Sequence, residues 1–218
     1  MESPLLCETK GQIRILRLNR PDRLNAVSLP MYEALEVELE DIATDEQIRA
    51  VVVTGMGRGF CVGADLKAHH GDEPTIEERH EYIDTSQRVF RAFQTLPQPI
   101  VAAVNGHAIG AGIELALSCD FVIVAEDAKL RIPEVTLGTF IGGGTAYTLR
   151  RRVGYARAAE LILLGRFFKA TEALSWGLAN QVEPAGKVLP AALDLAISLV
   201  KNAPIAMRLA KQLLDRAE

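Results

Sequence analysis

The sequence has 218 residues, 49% of them hydrophobic and 24% charged, with a formal net charge of −4. That length supplies one generous domain or two small ones with a sizeable core, and mild acidity provides no field for nucleic acid or an anionic membrane. Cys7, Cys61 and Cys119 sit at no disulfide or metal spacing, the N-terminus has no apolar secretory core, and no apolar run nears the roughly 20 residues of a membrane span; the expectation is a cytoplasmic protein.

In chain order, Ile13, Ile15, Leu16 and Leu18 with intervening arginines predict a half-buried strand, ended by Asn19-Arg20-Pro21-Asp22. Ser28 and Pro30 mark a helix start, and Met31, Leu35, Leu39 and Ile42 fall on one helical stripe. AVVVTG (50–55) reads as a buried strand running into the glycine-rich loop GMGRGFCVGAD. Residues 76–96 have helical spacing, QPIVAAVNG (98–106) is a second buried strand, a helix follows at about 110–118, and DFVIVAED is a third strand. Helices are expected around 144–152, 155–164, 171–176, 187–201 and 204–217. The alternation of strand and helix predicts an α/β fold, with residues 1–143 as the core and 144–218 as a helical C-terminal region.

Gly55, Gly57 and Gly59 follow a strand, but G-x-G-x-G is not the dinucleotide fingerprint, and no phosphate loop of the G-x-x-x-x-G-K-[ST] kind is present. Gly63-Ala64 and Gly110-Ala111-Gly112 each follow a buried strand. Such strand ends serve either as tight turns or as sites where bare amides approach a ligand, and two amides converging on one oxygen would make an oxyanion hole. Glu114 stands among Ile113, Leu115, Ala116 and Leu117 in the helix that follows; it is either a rim charge in contact with water or an acid–base group. His69 and His70 lie in a polar stretch with no ligand constellation, so no metal is expected. Lys67 by itself reads as a solvated side chain, Cys61 as a packed one, His107 as structural or pocket-wall, and Arg150–Arg152 as suited to a helix end and solvent.

Four segments taken together, NRPDRLNA (19–26), GFCVGADL (59–66), PIVAAVNGHAIGAGIELALSCD (99–120) and IPEVTLG (132–138), resemble the crotonase superfamily of enoyl-CoA hydratases and isomerases over nearly the whole chain. The resemblance implies a spiral of strand–strand–helix units with a helical C-terminal region, an acyl-CoA thioester substrate with no separate cofactor, and a homotrimer or hexamer. By motif position it assigns the oxyanion amides to Ala64 and Ala111, the CoA-contacting stretch to Ala64, Asp65, Leu66 and Lys67, and the two acid–base carboxylates to Glu114 and Glu134.

With both glutamates present, the implied activity is that of an enoyl-CoA hydratase, a lyase. Glu114 would activate water and Glu134 would exchange the proton at C2. A Δ3–Δ2-enoyl-CoA isomerase, which keeps the second carboxylate, is the competing enzyme, and a non-catalytic RNA- or acyl-CoA-binding member the competing non-enzyme. Ile141 stands where superfamily hydratases often have a proline; the resemblance implies that this loop borders the acyl pocket, where Phe140, Ile141 and Tyr147 would favour a cyclic, branched or aromatic acyl group. The sequence ends at Glu218, short of the further helices with which relatives usually cover the CoA site; either a segment is missing or the site is more open.

Overall fold

The computed structural model describes residues 3–65 and 75–216. Strands β1 (Leu5–Lys10) and β2 (Ile13–Leu18) form a hairpin, followed by α1 (Leu29–Thr44), β3 (Ala50–Gly55), β4 (Gly59–Cys61) and α2 (Ile76–Thr95). Next come β5 (Ile100–Val104), β6 (His107–Ile109), α3 (Ala111–Leu117), β7 (Phe121–Ala125) and β8 (Lys129–Arg131). The remainder is α4 (Thr145–Leu164), β9 (Phe167–Lys169), α5 (Ala170–Ser175), β10 (Gln181–Glu183), α6 (Val188–Val200) and α7 (Pro204–Arg216).

Two sheets share the work. The larger has the order β1-β2-β3-β5-β7-β10, parallel except for the β1–β2 hairpin; the smaller has the order β4-β6-β8-β9. In each turn of the chain the first strand (β3, β5, β7) joins the large sheet and the second (β4, β6, β8) joins the small one. This is the strand–strand–helix spiral the resemblance implies. Its long strands are buried on both faces, which is why they read as continuous apolar runs.

The apolar stripe of α1 is its buried face: Met31, Leu35, Leu39 and Ile42 are all within 1% of complete burial, each contributing about 1.5–3 kcal/mol. The sequence separates two helices at 144–152 and 155–164, and α4 is indeed broken between them, at Gly154 (φ 76°, ψ 167°). The region beyond residue 144, expected as wholly helical, contains two strands. β10 extends the large sheet beside β7, and β9 closes the small one beside β8. At three residues each they carry no readable periodicity. α6 packs across β3 and β5, and α7 is tied down by Lys211, whose buried Nζ donates to Gln98 O (3.0 Å) and Asp120 Oδ2 (2.8 Å). Among the described residues no single helix is long and apolar enough to cross a membrane.

The NRPDRLNA segment explains how the first strand end is held. Leu24 and Asn25 adopt positive φ (49° and 57°), turning the chain tightly after Pro21–Arg23. Asn25 is completely buried; its Nδ2 donates to Met56 O (2.9 Å) and Gly59 O (2.8 Å), while its Oδ1 accepts from Arg20 N (2.9 Å). Arg20 then reaches Asp65 Oδ2 and Ala26 O, both at 2.6 Å. The loops at 19–27 and 55–65 are thereby locked together.

Candidate active site

A cavity of about 280 Å³ lies where the small sheet meets α2, α3 and the turn at Glu134. β4 and β6 are parallel neighbours, with Cys61 opposite Ala108, so the segments leaving them run side by side. Gly63-Ala64 and Gly110-Ala111 both line the cavity, and a Cβ placed on Gly110 would lie 3.8 Å from Gly63 Cα.

The backbone pattern decides where the amides point. Val27 N donates to Gly63 O and Asp65 N donates to Val27 O, both within 2.9 Å. In a parallel ladder this pattern turns the N–H of the residue between them, Ala64, away from Val27. Ala111 is the first residue of α3, where a backbone N–H has no intrahelical acceptor. Two main-chain donors with no acceptor among the described residues therefore stand at adjacent strand ends.

Glu114 lies in the first turn of α3 and is 4% exposed. α3 can approach β4 this closely because position 112 is glycine: a Cβ there would lie 2.0 Å from Cys61 O. The Oε1 of Glu114 accepts from the amide of Gly142 at 2.9 Å. Glu134 opens the 3-10 turn Glu134–Leu137 directly after Pro133 and is 7% exposed. Its Oε1 lies against Gly110, where a Cβ would come within 2.9 Å, and φ is +54° there, so only glycine fits. Its Oε2 is buried and has no hydrogen-bond partner among the described residues. The side chains of both glutamates line the one cavity, together with the two strand ends.

Burial pushes the Glu114 carboxyl up to about 7; the Gly142 amide opposes this, and the charge of Glu134 adds to it. Burial also raises Glu134, while its own backbone amide and Arg131 pull it back. A carboxyl raised in the folded state stabilises the fold while protonated, and that stability is lost as pH climbs from the unfolded value toward the folded one. A Glu114→Gln variant should therefore melt at a higher temperature than the parent at pH 8 but not at pH 4. Equal melting temperatures for the two proteins at pH 8 would contradict the shift.

Other expected site residues fare unequally. Ala64 and Ala111 border the cavity, and Asp65 beside them is buried and held by Arg20. Leu66 and Lys67, with His69 and His70, fall outside the described residues. Phe140 borders the cavity as expected, but Ile141 and Tyr147 do not line it; Tyr147 lies under the Arg151 guanidinium, 5.4 Å away, in the crevice beside α7. One turn into α4, it points away from the loop that precedes it. His107 Nδ1 accepts from Lys129 N at 3.2 Å and borders a different crevice. Cys61 is fully buried, and burial pushes its thiol up to about 12. Arg152, expected in solvent, is half-buried and donates to Leu117 O and Cys119 O, capping the C-terminal end of α3. Among the described residues no group of three His, Cys, Asp or Glu is placed to hold a metal ion.

Sequence reasoning missed two features. Gly142 belongs to a glycine run that reads as a loop, and nothing local ties its amide to a residue 28 positions earlier. Tyr32, Tyr82 and Phe90 form an aromatic wall, with ring centres 5.4 Å and 6.0 Å apart. Tyr32 stands next to the apolar stripe of α1, and nothing local marks it as a cavity wall.

The family model described as enoyl-CoA hydratase/isomerase matches residues 8–218. The chain belongs to this family. Among its relatives, the short-chain-enoyl-CoA hydratase of Clostridium acetobutylicum is 37% identical over 213 residues, covering 97% of this chain and 81% of that protein. The 2,3-dehydroadipyl-CoA hydratase of Escherichia coli is 37% identical over 218 residues, covering 99% and 83%. The crystal structure of enoyl-CoA hydratase from Bacillus anthracis superposes with a TM-score of 0.93 at 36% identity, covering 98% of this chain and 83% of that one. The family's fold, anticipated from four motifs, is the fold described above.

Proposed function

We propose that the protein adds water across the C2–C3 double bond of a 2-enoyl-CoA thioester, placing hydroxyl on C3 and hydrogen on C2. The observation that carries this reading is that Glu114 and Glu134 line one cavity with the two glycine-led strand ends. The thioester oxygen sits between the amides of Ala64 and Ala111, which stabilise the enolate as negative charge develops; each well-placed donor contributes about 3–4 kcal/mol.

Glu114 orients and deprotonates a water against C3, and Glu134 delivers a proton to C2; dehydration runs the same steps backwards. The hydrogen bond from Gly142 leaves the second oxygen of Glu114 to do this, and Glu134 Oε2 has no competing partner among the described residues. Two buried carboxyls in one cavity titrate as a pair, and the reacting form for hydration carries one proton between them. No separate cofactor enters, since CoA arrives as part of the substrate.

An isomerase would shuttle a proton through Glu134 alone and leave Glu114 without a task, yet Glu114 is buried, held by a main-chain donor and raised toward neutrality. That favours hydration. The test is a panel of short, long, branched and aromatic 2-enoyl-CoAs followed by loss of conjugated absorbance. Hydration of at least one member is expected; a chain that only moves the double bond of 3-enoyl-CoAs would contradict it.

The proposal extends to a homotrimer or hexamer in the cytoplasm. The exposed apolar side chains of Leu163, Leu164 and Phe167, and of Ile205, Leu209 and Leu213 along α7, support assembly with further copies. The free cysteines among the described residues suit a reducing compartment.

A further inference from the structure

Arg131 ends β8, three residues before Glu134, and is half-buried. Its Nε donates to Gly165 O at 2.7 Å and its Nη2 to Thr136 Oγ1 at 3.2 Å. The guanidinium carbon lies 4.9 Å from the centre of the Phe167 ring. Thr136 belongs to the same short turn as Glu134, and its hydroxyl donates to Pro133 O at 2.6 Å. The carbonyl of Arg131 accepts from the amide of Gly110 at 3.0 Å, next to the Ala111 donor. One residue thus connects the turn carrying Glu134, the segment entering β9, and the strand end that offers the second oxyanion amide.

We propose that Arg131 is a positioning residue for the acid–base pair: it holds the turn that presents the Glu134 carboxylate and sets a guanidinium against that turn. The proposal rests on the hydratase reading of the site. Among the described residues, the charges around Glu134 are Arg131 on the β8 side and Glu114 on α3 across the cavity. α4, which packs on the turn, carries Glu160, already engaged by Arg157 and Arg166; Arg152 is occupied by the carbonyls ending α3, and Arg151 by Leu214 O. Among the described residues, Arg131 is the cation that lowers the Glu134 carboxyl. Glu114 has no such cation among the causes of its shift. The ionised form of Glu134 is the one that takes a proton from C2 in dehydration and exchange, whereas hydration starts from its protonated form.

The experiment that isolates this effect is exchange of deuterium at C2 of a saturated acyl-CoA. The Glu134 carboxylate takes the C2 deuteron, the enolate rests on the two amides, and a solvent proton returns through the same carboxyl. No water is added, so Glu114 is not required. The rate should rise with pH as Glu134 ionises. In Arg131→Gln that limb should move to higher pH by about 0.5–1 unit, making exchange about 3–10-fold slower below the limb. Arg131→Lys, which keeps the charge but loses the planar fork, should leave the limb in place while lowering the plateau. Thr136→Val, which cuts only the anchor in the turn, should do the same.

A folded Arg131→Gln with an unmoved limb overturns the proposal. Should that variant not fold, Arg131→Lys carries the test, and a displaced limb or an unaltered plateau overturns it. A parent protein that neither hydrates nor exchanges ends the hydratase reading, and the proposal with it; a parent that exchanges while Arg131→Gln matches it at every pH ends the proposal alone.

Discussion

Glutamine at position 134 is expected to abolish both enoyl-CoA hydration and C2 exchange, whereas glutamine at 114 should abolish hydration and largely spare exchange. The difference follows from where each carboxylate acts. Glu134 serves C2, which every reaction through an enolate must protonate or deprotonate, and Glu114 serves the water that only hydration consumes. Loss of a positioned acid or base costs about 10²–10⁴-fold. Each glutamine keeps the size of the side chain. At Glu114 it can still accept from the Gly142 amide, so the cavity stays intact. Paired assays on the two variants, with melting temperatures as a control for folding, check the assignment. Equal loss of both activities in both variants would contradict separate roles.

The second large effect concerns a backbone atom. Ala111 occupies the first position of α3, where proline is tolerated because the N–H has no intrahelical acceptor to lose. Ala111→Pro therefore deletes one proposed oxyanion donor and leaves the helix standing. kcat/KM should fall about 10²–10³-fold, with a melting temperature near that of the parent. Position 64 cannot be probed so cleanly, because its neighbours Gly63 and Asp65 are paired with Val27 and proline there would disturb the ladder. A fully active, folded Ala111→Pro would exclude this amide from the chemistry.

The parts of the fold that were legible in the sequence are those where burial repeats over many residues. Met31, Leu35, Leu39 and Ile42 announce α1, and the runs at 50–55, 100–104 and 121–125 announce β3, β5 and β7, because a strand buried on both faces must be apolar throughout. β1 was missed because only Leu5 of its six residues is buried, as suits the edge of a sheet. β4, β6, β8, β9 and β10 have three residues each, too few for a period to show; only the family resemblance implied strand pairs.

The site divides along the same line. Glu114 stood out because a carboxylate among Ile113, Leu115 and Leu117 conflicts with its surroundings. Glu134 showed no such conflict and was reached through its motif alone. Gly142 and Arg131 were invisible as site residues, since their roles depend on which loop lies against which helix. Asn25 likewise reads as a turn residue, and only the fold reveals it as the buried pin between two loops.

The most direct measurement is the carbonyl stretch of a ¹³C-labelled enoyl-CoA bound to the Glu134→Gln protein, recorded by isotope-edited infrared spectroscopy with and without Ala111→Pro. Two amides gripping the thioester oxygen should draw the band well below its position in water, and removing the amide at 111 should return it most of the way. A bound thioester whose carbonyl absorbs where the free one does, with proline at 111 making no difference, would contradict the account.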